Sequence, residues 1–137
     1  SAISLSTHSI KLLKKTEGNI IFISSIAGCE TLGAPITYSS AKTALLSFSN
    51  SLSKEVANLK IRVNCISPGN VMFKGSTWDI KKRENKNNVL KYIKENVPLN
   101  DFVKPIDISR AVLFLEKSTL ITGSNIIIDG GQVKKII

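Results

Sequence analysis

Tyr38 and Lys42 lie four positions apart, and they follow an apolar run over residues 20–23 that ends in two serines, Ser24 and Ser25. Residues four apart lie on one face of a helix, so a helix that begins near Tyr38 would point its phenol and the Lys42 ammonium in the same direction. A strand that ends at Ser24 or Ser25 would place a hydroxyl at the carboxyl edge of a sheet, where open α/β sheets bind ligands. The spacing therefore predicts that a hydroxyl, a phenol and a cation converge at one sheet edge.

This set of groups suits proton transfer to or from a carbinol or carbonyl oxygen. A free phenol has a pKa near ~10 and is a poor base at neutral pH, but a cation close by favours the phenolate. A general acid or base works best with a pKa near the operating pH, and a hydroxyl can hold the substrate oxygen while its charge changes. A Tyr-x-x-x-Lys spacing also occurs in helices whose Tyr is packed and whose Lys is solvated. The surrounding sequence must therefore decide between the two interpretations.

The hydrophobic pattern predicts strands and helices that alternate along the chain, which favours an α/β fold with a parallel sheet and right-handed crossovers. The run over 19–25 lacks polar alternation, as a strand covered on both faces would. The excursion between Gly69 and the last helix contains no strand, which is typical of functional segments such as lids. Strands are predicted over residues 19–25, 61–67 and 125–128, and helices over residues 1–17, 37–58, 78–83, 87–95 and 107–117.

Two of the predicted helices carry apolar stripes at helical spacing. Gly18 suits the position just past the end of the first of them, and Asp129-Gly130-Gly131 predicts a turn after the last strand. The stripe of the 1–17 helix consists of Ile3, Ile10 and Leu13, with Leu5 and Leu12 beside it, and the stripe of the 37–58 helix consists of Ala41, Ala44, Leu45, Phe48, Leu52 and Val56.

Composition excludes several classes of protein. The 137 residues suit one domain, and no run approaches the ~20 apolar residues of a membrane span. Cys29 and Cys65 are isolated and lack metal-ligand spacing, which predicts reduced thiols and a cytoplasmic location. The formal net charge of +9 leaves open a basic protein that binds an anionic partner through residues 74–94. However, the charges are dispersed and no nucleic-acid motif with interleaved aromatics is present, so solvated surface charge is the default interpretation.

These features together resemble one family. Ser25 lies thirteen residues before Tyr38, and the chain continues with the segments NCISPG (64–69), TG (122–123) and DGG (129–131). In this order they resemble the short-chain dehydrogenase/reductase family, of the type that includes 3-oxoacyl-carrier-protein reductases. The resemblance covers nearly the whole chain and implies the C-terminal half, residues 1–137, of a Rossmann-type doubly wound domain.

The resemblance also implies roles for individual residues. Ser25, Tyr38 and Lys42 would be catalytic; Ser24 is the alternative to Ser25, but the thirteen-residue separation from Tyr38 favours Ser25. Tyr38 would exchange the proton, Lys42 would bind the nicotinamide ribose, and Ser25 would hold the substrate oxygen. The backbone of residues 68–71, through Pro68, Gly69 and Val71, would meet the nicotinamide carboxamide.

Further expectations concern the whole protein. The resemblance implies an oxidoreductase that uses NAD or NADP on a small carbonyl or alcohol, with residues 72–100 as a substrate lid and the 1–17 and 37–58 helices in a homodimer or homotetramer interface. The chain departs from the family pattern at Phe73, where a Thr is common, and at residues 101–106. It contains no Gly-x-x-x-Gly-x-Gly turn for the pyrophosphate. We therefore expect the 137-residue chain alone to be inactive; a non-catalytic fragment or binding module is the alternative.

Overall fold

The structure is a computed structural model that describes residues 2–134. Helices separate the three strands along the chain, with three consecutive helices before the last strand, and there are two short 3₁₀ turns at Ile26–Gly28 and Ala57–Leu59. The predicted order of elements is confirmed, with ends that shift by a few residues. The elements are α1 (Ala2–Leu13), β1 (Asn19–Ile23), α2 (Ile36–Glu55), β2 (Arg62–Pro68), α3 (Thr77–Glu84), α4 (Lys86–Asn96), α5 (Pro105–Lys117) and β3 (Asn125–Ile128).

The three strands form one parallel sheet in the order β1-β2-β3. The register pairs Ile23 with Ile66 and Pro68 with Ile128, so β1 and β2 end near each other at the same edge. The central strand β2 is buried from Val63 to Pro68. Parallel neighbours need a crossover connection, and α2 and α5 lie in the two crossovers. The predicted α/β class with a parallel sheet is therefore confirmed.

The main hydrophobic core lies between α2 and one face of the sheet. Leu52 of α2 and Val56, which directly follows α2, pack with Phe22, Val63 and Cys65 of the strands. The predicted stripe is wrong in its first part, because Ala41 and Ala44 are exposed. The contacts of α2 with the core begin at Leu45. The preceding turns of α2 instead pack on the loop that follows β1.

Helix α1 ends four residues earlier than predicted. The amide of Gly18 donates to the Leu13 carbonyl at 2.9 Å, and Glu17 rather than Gly18 takes the left-handed conformation, with φ 51°. A Cβ on Gly18 would lie 2.5 Å from Leu13 Cδ2 and 3.3 Å from Leu13 Cα, so a side chain there would require Leu13 to shift. Only Ile10 and Leu13 of the α1 stripe pack on the core, and Ile3, Leu5 and Leu12 are exposed. No helix within residues 2–134 is both long and apolar enough to span a bilayer.

Strand β1 also differs from the prediction. It ends at Ile23, two residues before Ser25, and it is the edge strand of the sheet formed by the described residues. Only Phe22 of β1 is buried, and Ile23 is 42% exposed. The prediction of a strand covered on both faces is therefore not met within residues 2–134. An apolar edge strand with unpaired backbone groups is a surface that another strand can extend.

The excursion after β2 has a small hydrophobic cluster of its own. The two predicted helices are present as α3 and α4, and they begin at side-chain caps from Ser76 and Asn85. Val89 and Val97 of this segment are buried with Phe102. The ring of Trp78 lies 4.6 Å from those of both Tyr92 and Phe102, between centroids. The segment is thus less polar in its packing than its sequence suggested.

Gly28 allows the loop after β1 to touch the backbone of α2. A Cβ at this position would lie 2.7 Å from the carbonyl carbon of Lys42 and 2.9 Å from the amide nitrogen of Thr43. Because backbone atoms cannot yield locally, Gly28→Ala should lower the free energy of unfolding by about 1–3 kcal/mol. Urea denaturation would measure the loss, with Ala44→Ser on the exposed face of α2 as the control. Equal stability of Gly28→Ala and the wild type would contradict the predicted clash.

Cys65 should be chemically inert in the folded protein. Burial raises the pKa of the Cys65 thiol to about 11, so the nucleophilic thiolate is scarce near neutral pH. We expect a Cys29→Ser variant, whose single remaining cysteine is Cys65, to resist iodoacetamide at neutral pH and to be alkylated fully in guanidinium. Intact mass would show the modification. Rapid alkylation of this variant under native conditions would refute the prediction.

Candidate active site

The candidate site lies where β1 and β2 end. Ser24 and Ser25 follow β1, and Gly69 follows β2. Tyr38 and Lys42 lie in the first two turns of α2, which begins at Ile36. The structure therefore brings the predicted residues to one edge of the sheet.

The two serines have different environments. Ser24 is buried, and its hydroxyl donates to the Lys42 carbonyl at 3.0 Å. Ser25 is half-buried and caps the 3₁₀ turn that follows it, where its Oγ accepts from the Ala27 amide at 3.2 Å. This bond uses Ser25 Oγ as an acceptor, and leaves its proton for another partner. The geometry thus favours Ser25 over Ser24 as the hydroxyl that meets a ligand.

The side chain of Lys42 is held at the end of β1. Its Nζ donates to the carbonyl of Ile23 at 3.0 Å and lies 5.6 Å from the centroid of the Tyr38 ring. An ammonium has three N–H donors, so two remain available after the bond to Ile23. Tyr38 is 44% exposed. The phenol and the cation therefore face the same accessible space.

That space is a cleft of about 510 Å³, here called the smaller cleft. Every site residue predicted from the sequence lines it. Its polar wall comes from Ser24, Ser25, Tyr38 and Lys42. Its apolar wall comes from residues at the ends of β1 and β2, in the loop after β2 and in the first turn of α5. The apolar residues and the glycine are Ile23, Pro68, Gly69, Val71, Phe73, Pro105 and Ile108.

A second space, the larger chamber, adjoins the smaller cleft and has a volume of about 860 Å³. The two share Ser25, Tyr38, Gly69, Val71 and Phe73 as lining residues. Ser25 and Tyr38 therefore border both spaces. This is the arrangement that a reaction between a cofactor and a substrate requires.

Several residues of the larger chamber were not predicted. Asn70 is central, because its amide nitrogen donates to Gln132 Oε1 at 3.3 Å and its Nδ2 donates to Tyr92 Oη at 3.2 Å. Gln132 follows the turn at residues 129–131, and Tyr92 belongs to α4. The three residues are far apart in sequence, and no local motif links them. Trp78 and Lys81 of α3 also line this chamber.

The turn at residues 129–131 fixes this corner of the site, as a predicted turn should. The Asp129 carboxylate accepts from the amides of Gly131 and Val133, each at 2.8 Å. Gly130 has φ 67°, and a Cβ on it would lie 2.7 Å from Val97 Cγ1. The turn therefore packs directly against the end of the α4 segment.

Comparison with known proteins agrees with this geometry. Residues 1–132 match the family model described as enoyl-(acyl carrier protein) reductase. The chain is similar to the 3-oxoacyl-(acyl-carrier-protein) reductase of Homo sapiens, with 37% identity over 120 residues that cover 88% of this chain and 47% of the relative.

Solved structures give the same result. The chain superposes on L-sorbose reductase from Gluconobacter frateurii, solved with NADPH and L-sorbose, with a TM-score of 0.88 and 29% identity over 98% of this chain and 55% of that one. It superposes on a 4-hydroxyisoleucine dehydrogenase solved with NADH, with a TM-score of 0.82 and 27% identity over 98% of this chain and 56% of that one. The chain thus spans about half the length of the relatives it matches. On its matching segments and its parallel α/β fold, the chain belongs to the short-chain dehydrogenase/reductase family.

Proposed function

We propose that the natural polypeptide carrying this chain transfers a hydride between NAD(H) or NADP(H) and a carbonyl/alcohol pair. The observation that carries the proposal is the position of Ser25 and Tyr38 at the junction of the smaller cleft and the larger chamber. Relatives named as reductases, and solved relatives that hold NADPH or NADH, support it. The substrate would occupy the larger chamber.

The donors of the smaller cleft fit the nicotinamide and ribose part of such a cofactor. Two N–H groups of Lys42 and the hydroxyl of Tyr38 can bind ribose hydroxyls, and Pro68, Val71 and Ile108 offer apolar surface to the ring. When bound, the nicotinamide gives or takes the hydride. Phe73 lines the cleft where the family often has a Thr, so a bond to the cofactor from that side chain is absent.

The residues of this chain would supply the proton chemistry. In the reducing direction the Ser25 hydroxyl donates a hydrogen bond to the carbonyl oxygen, and Tyr38 transfers its phenolic proton to that oxygen as the carbonyl carbon accepts a hydride. The alcohol leaves, and the Tyr38 phenolate is reprotonated from solvent. The Lys42 ammonium, beside the Tyr38 ring, would stabilise the phenolate while it exists.

Removal of the phenolic hydroxyl tests these roles. Tyr38→Phe should lower kcat by at least about a hundredfold, because no other group would deliver the proton. The Kd of the cofactor should rise by only about tenfold or less, because one hydrogen bond to the ribose is lost and those of Lys42 remain. Ser25→Ala should lower kcat by about a hundredfold through loss of the hydrogen bond to the substrate oxygen. Ketone reduction with NADH and NADPH would give kcat for each variant, and calorimetric titration with the cofactor would give its Kd.

Ser40→Ala is the matched control, because Ser40 is exposed on the same helix and lines neither space. It should leave kcat unchanged. A Tyr38→Phe enzyme with normal kcat would reject the assignment of Tyr38. Absence of turnover in the wild type with every ketone tested would favour the alternative of a non-catalytic binding module.

We also propose that residues 72–100 form a lid over the substrate. The segment lines one side of the larger chamber. Besides its hydrophobic cluster and the backbone bond from Leu99 to Gly130, it is attached to the end of β2 through the hydrogen bond between Asn70 and Tyr92. Tyr92→Phe keeps the ring stack and removes this bond, which is worth about 1 kcal/mol. We expect faster amide exchange over residues 77–96, with exchange in β2 unchanged.

Bound cofactor and substrate should slow exchange over residues 77–96 in the wild type, since closure would protect α3 and α4. Ser109→Ala, which removes an exposed hydroxyl of α5, is the control and should alter neither region. Protection of the unliganded segment equal to that of β2 would mean that it is a rigid part of the fold and would rule out a lid.

A basic interaction surface is less well supported. Arg83 pairs with Asp79 at 2.6 Å and Lys104 with Asp101 at 3.0 Å, which neutralises part of the positive charge near residues 74–94. The homo-oligomer interface on α1 and α2, and the inactivity of the 137-residue chain alone, stay predictions.

A further inference from the structure

The larger chamber has one ionic side chain in its lining. The described residues around it are apolar, aromatic, small or neutral polar, with Lys81 as the exception. Leu32, Pro35, Phe73 and Trp78 give it apolar and aromatic wall. A volume of about 860 Å³ is at the large end of the range for small-molecule sites, so the chamber has room for more than a minimal ketone.

The charge of Lys81 is positioned by the aromatic cluster. Its Nζ lies 4.7 Å from the centroid of the Trp78 ring, and Trp78 in turn packs on Tyr92 and Phe102. A cation over an aromatic face is attracted to the ring and keeps its N–H donors for another partner. This contact places the exposed ammonium of Lys81 at the chamber wall, against a ring that packs on two others.

No carboxylate of the described residues neutralises Lys81. The ion pairs within residues 2–134 do not include it. Of the two acids of α3, Asp79 pairs with Arg83 and accepts from the Gly75 amide at 2.7 Å, and Glu84 forms no ion pair with Lys81. A lone cation beside apolar walls is the electrostatic complement of an anionic ligand.

We propose that the substrate of this site is an oxo acid, a carbonyl compound with a carboxylate, and that Lys81 binds the carboxylate. A single ammonium matches a monoanion, and the apolar walls match the aliphatic part between the two groups. The inference rests on the proposed function, since it assigns the carbonyl to the Ser25 and Tyr38 end of the chamber. Lys81 is then a specificity residue that does not touch the reacting atoms.

Binding can be measured without turnover through Trp78, the single tryptophan of these 137 residues; subtracting the signal of a Trp78→Phe variant removes the contribution of any tryptophan outside them. The fluorescence of Trp78 would be titrated with methyl-ketone acids of increasing chain length, beginning with levulinate, and with the methyl ester of each. Calorimetry under the same conditions excludes quenching artefacts of the ketone. Both titrations would be made with and without NADP⁺ or NAD⁺, on the full natural polypeptide.

For at least one chain length we expect the acid to bind about fivefold more tightly than its ester, the upper value for an exposed ion pair, since Lys81 is exposed. Added salt should reduce this ratio. Lys81→Gln should abolish the preference for the acid over the ester, and Lys81→Arg should keep it. Lys82→Gln is the matched control and should leave the preference for the acid unchanged, because Lys82 does not line the chamber. The charge of Lys82 instead interacts with Asp79 and Asp101.

Equal affinity for acid and ester at every chain length would overturn the inference, as would a Lys81→Gln variant that keeps the preference. If Lys81 only stabilises α3 through the Trp78 ring, Lys81→Gln would lower Tm and leave the ratio intact, which also overturns it. Selective binding without any reduction of the oxo acids would instead refute the proposed function and leave the carboxylate site standing. Reduction of oxo acids and esters with equal KM would refute the carboxylate site and leave the function standing.

Discussion

A pair of hydrogen bonds between the end of β1 and α2 holds the candidate site together. The carbonyl of Lys42 accepts from Ser24 Oγ, and the ammonium of the same Lys42 donates to the carbonyl of Ile23, both at 3.0 Å. Gly28 lets the intervening loop lie against the α2 backbone. Because Tyr38 is one turn before Lys42, these contacts fix the phenol relative to the sheet edge as well. Such fixed placement of the reacting groups is what proton transfer to a bound substrate requires.

The other side of the site depends on a second, more distant set of contacts. Asn70 joins the end of β2 to Tyr92 of α4 and to Gln132 after β3. The turn at residues 129–131 packs on Val97 and Pro98 at the base of the same segment. The walls of the larger chamber therefore come from parts of the chain that only the folded sheet brings together. The two sides of the site therefore depend on different contacts, local ones around Lys42 and distant ones around Asn70.

The sequence by itself determined the class of fold and the group of residues at the sheet edge. Hydrophobic periodicity and turn residues are local properties of the sequence, so α3, α4 and the turn at residues 129–131 could be predicted. The order of strands and helices in turn predicted the parallel sheet. The four-residue spacing of Tyr38 and Lys42 likewise sets their common helix face, whatever the rest of the chain does. The ends of elements were harder to predict, and α1 ends at Leu13 rather than at residue 17. Near a helix end a carbonyl can accept from any of several following amides, and tertiary packing selects among them.

Only the tertiary structure decided what each side chain meets. It distinguished Ser25 from Ser24 by their hydrogen bonds, and it showed Ala41 and Ala44 to be exposed although they continue an apolar stripe. It also placed Lys81 on the Trp78 ring at the wall of the larger chamber. None of these results follows from periodicity, because periodicity gives the face of an element and says nothing of the distant segment that covers it. Which charges and hydroxyls face a ligand is therefore a property of the packed molecule.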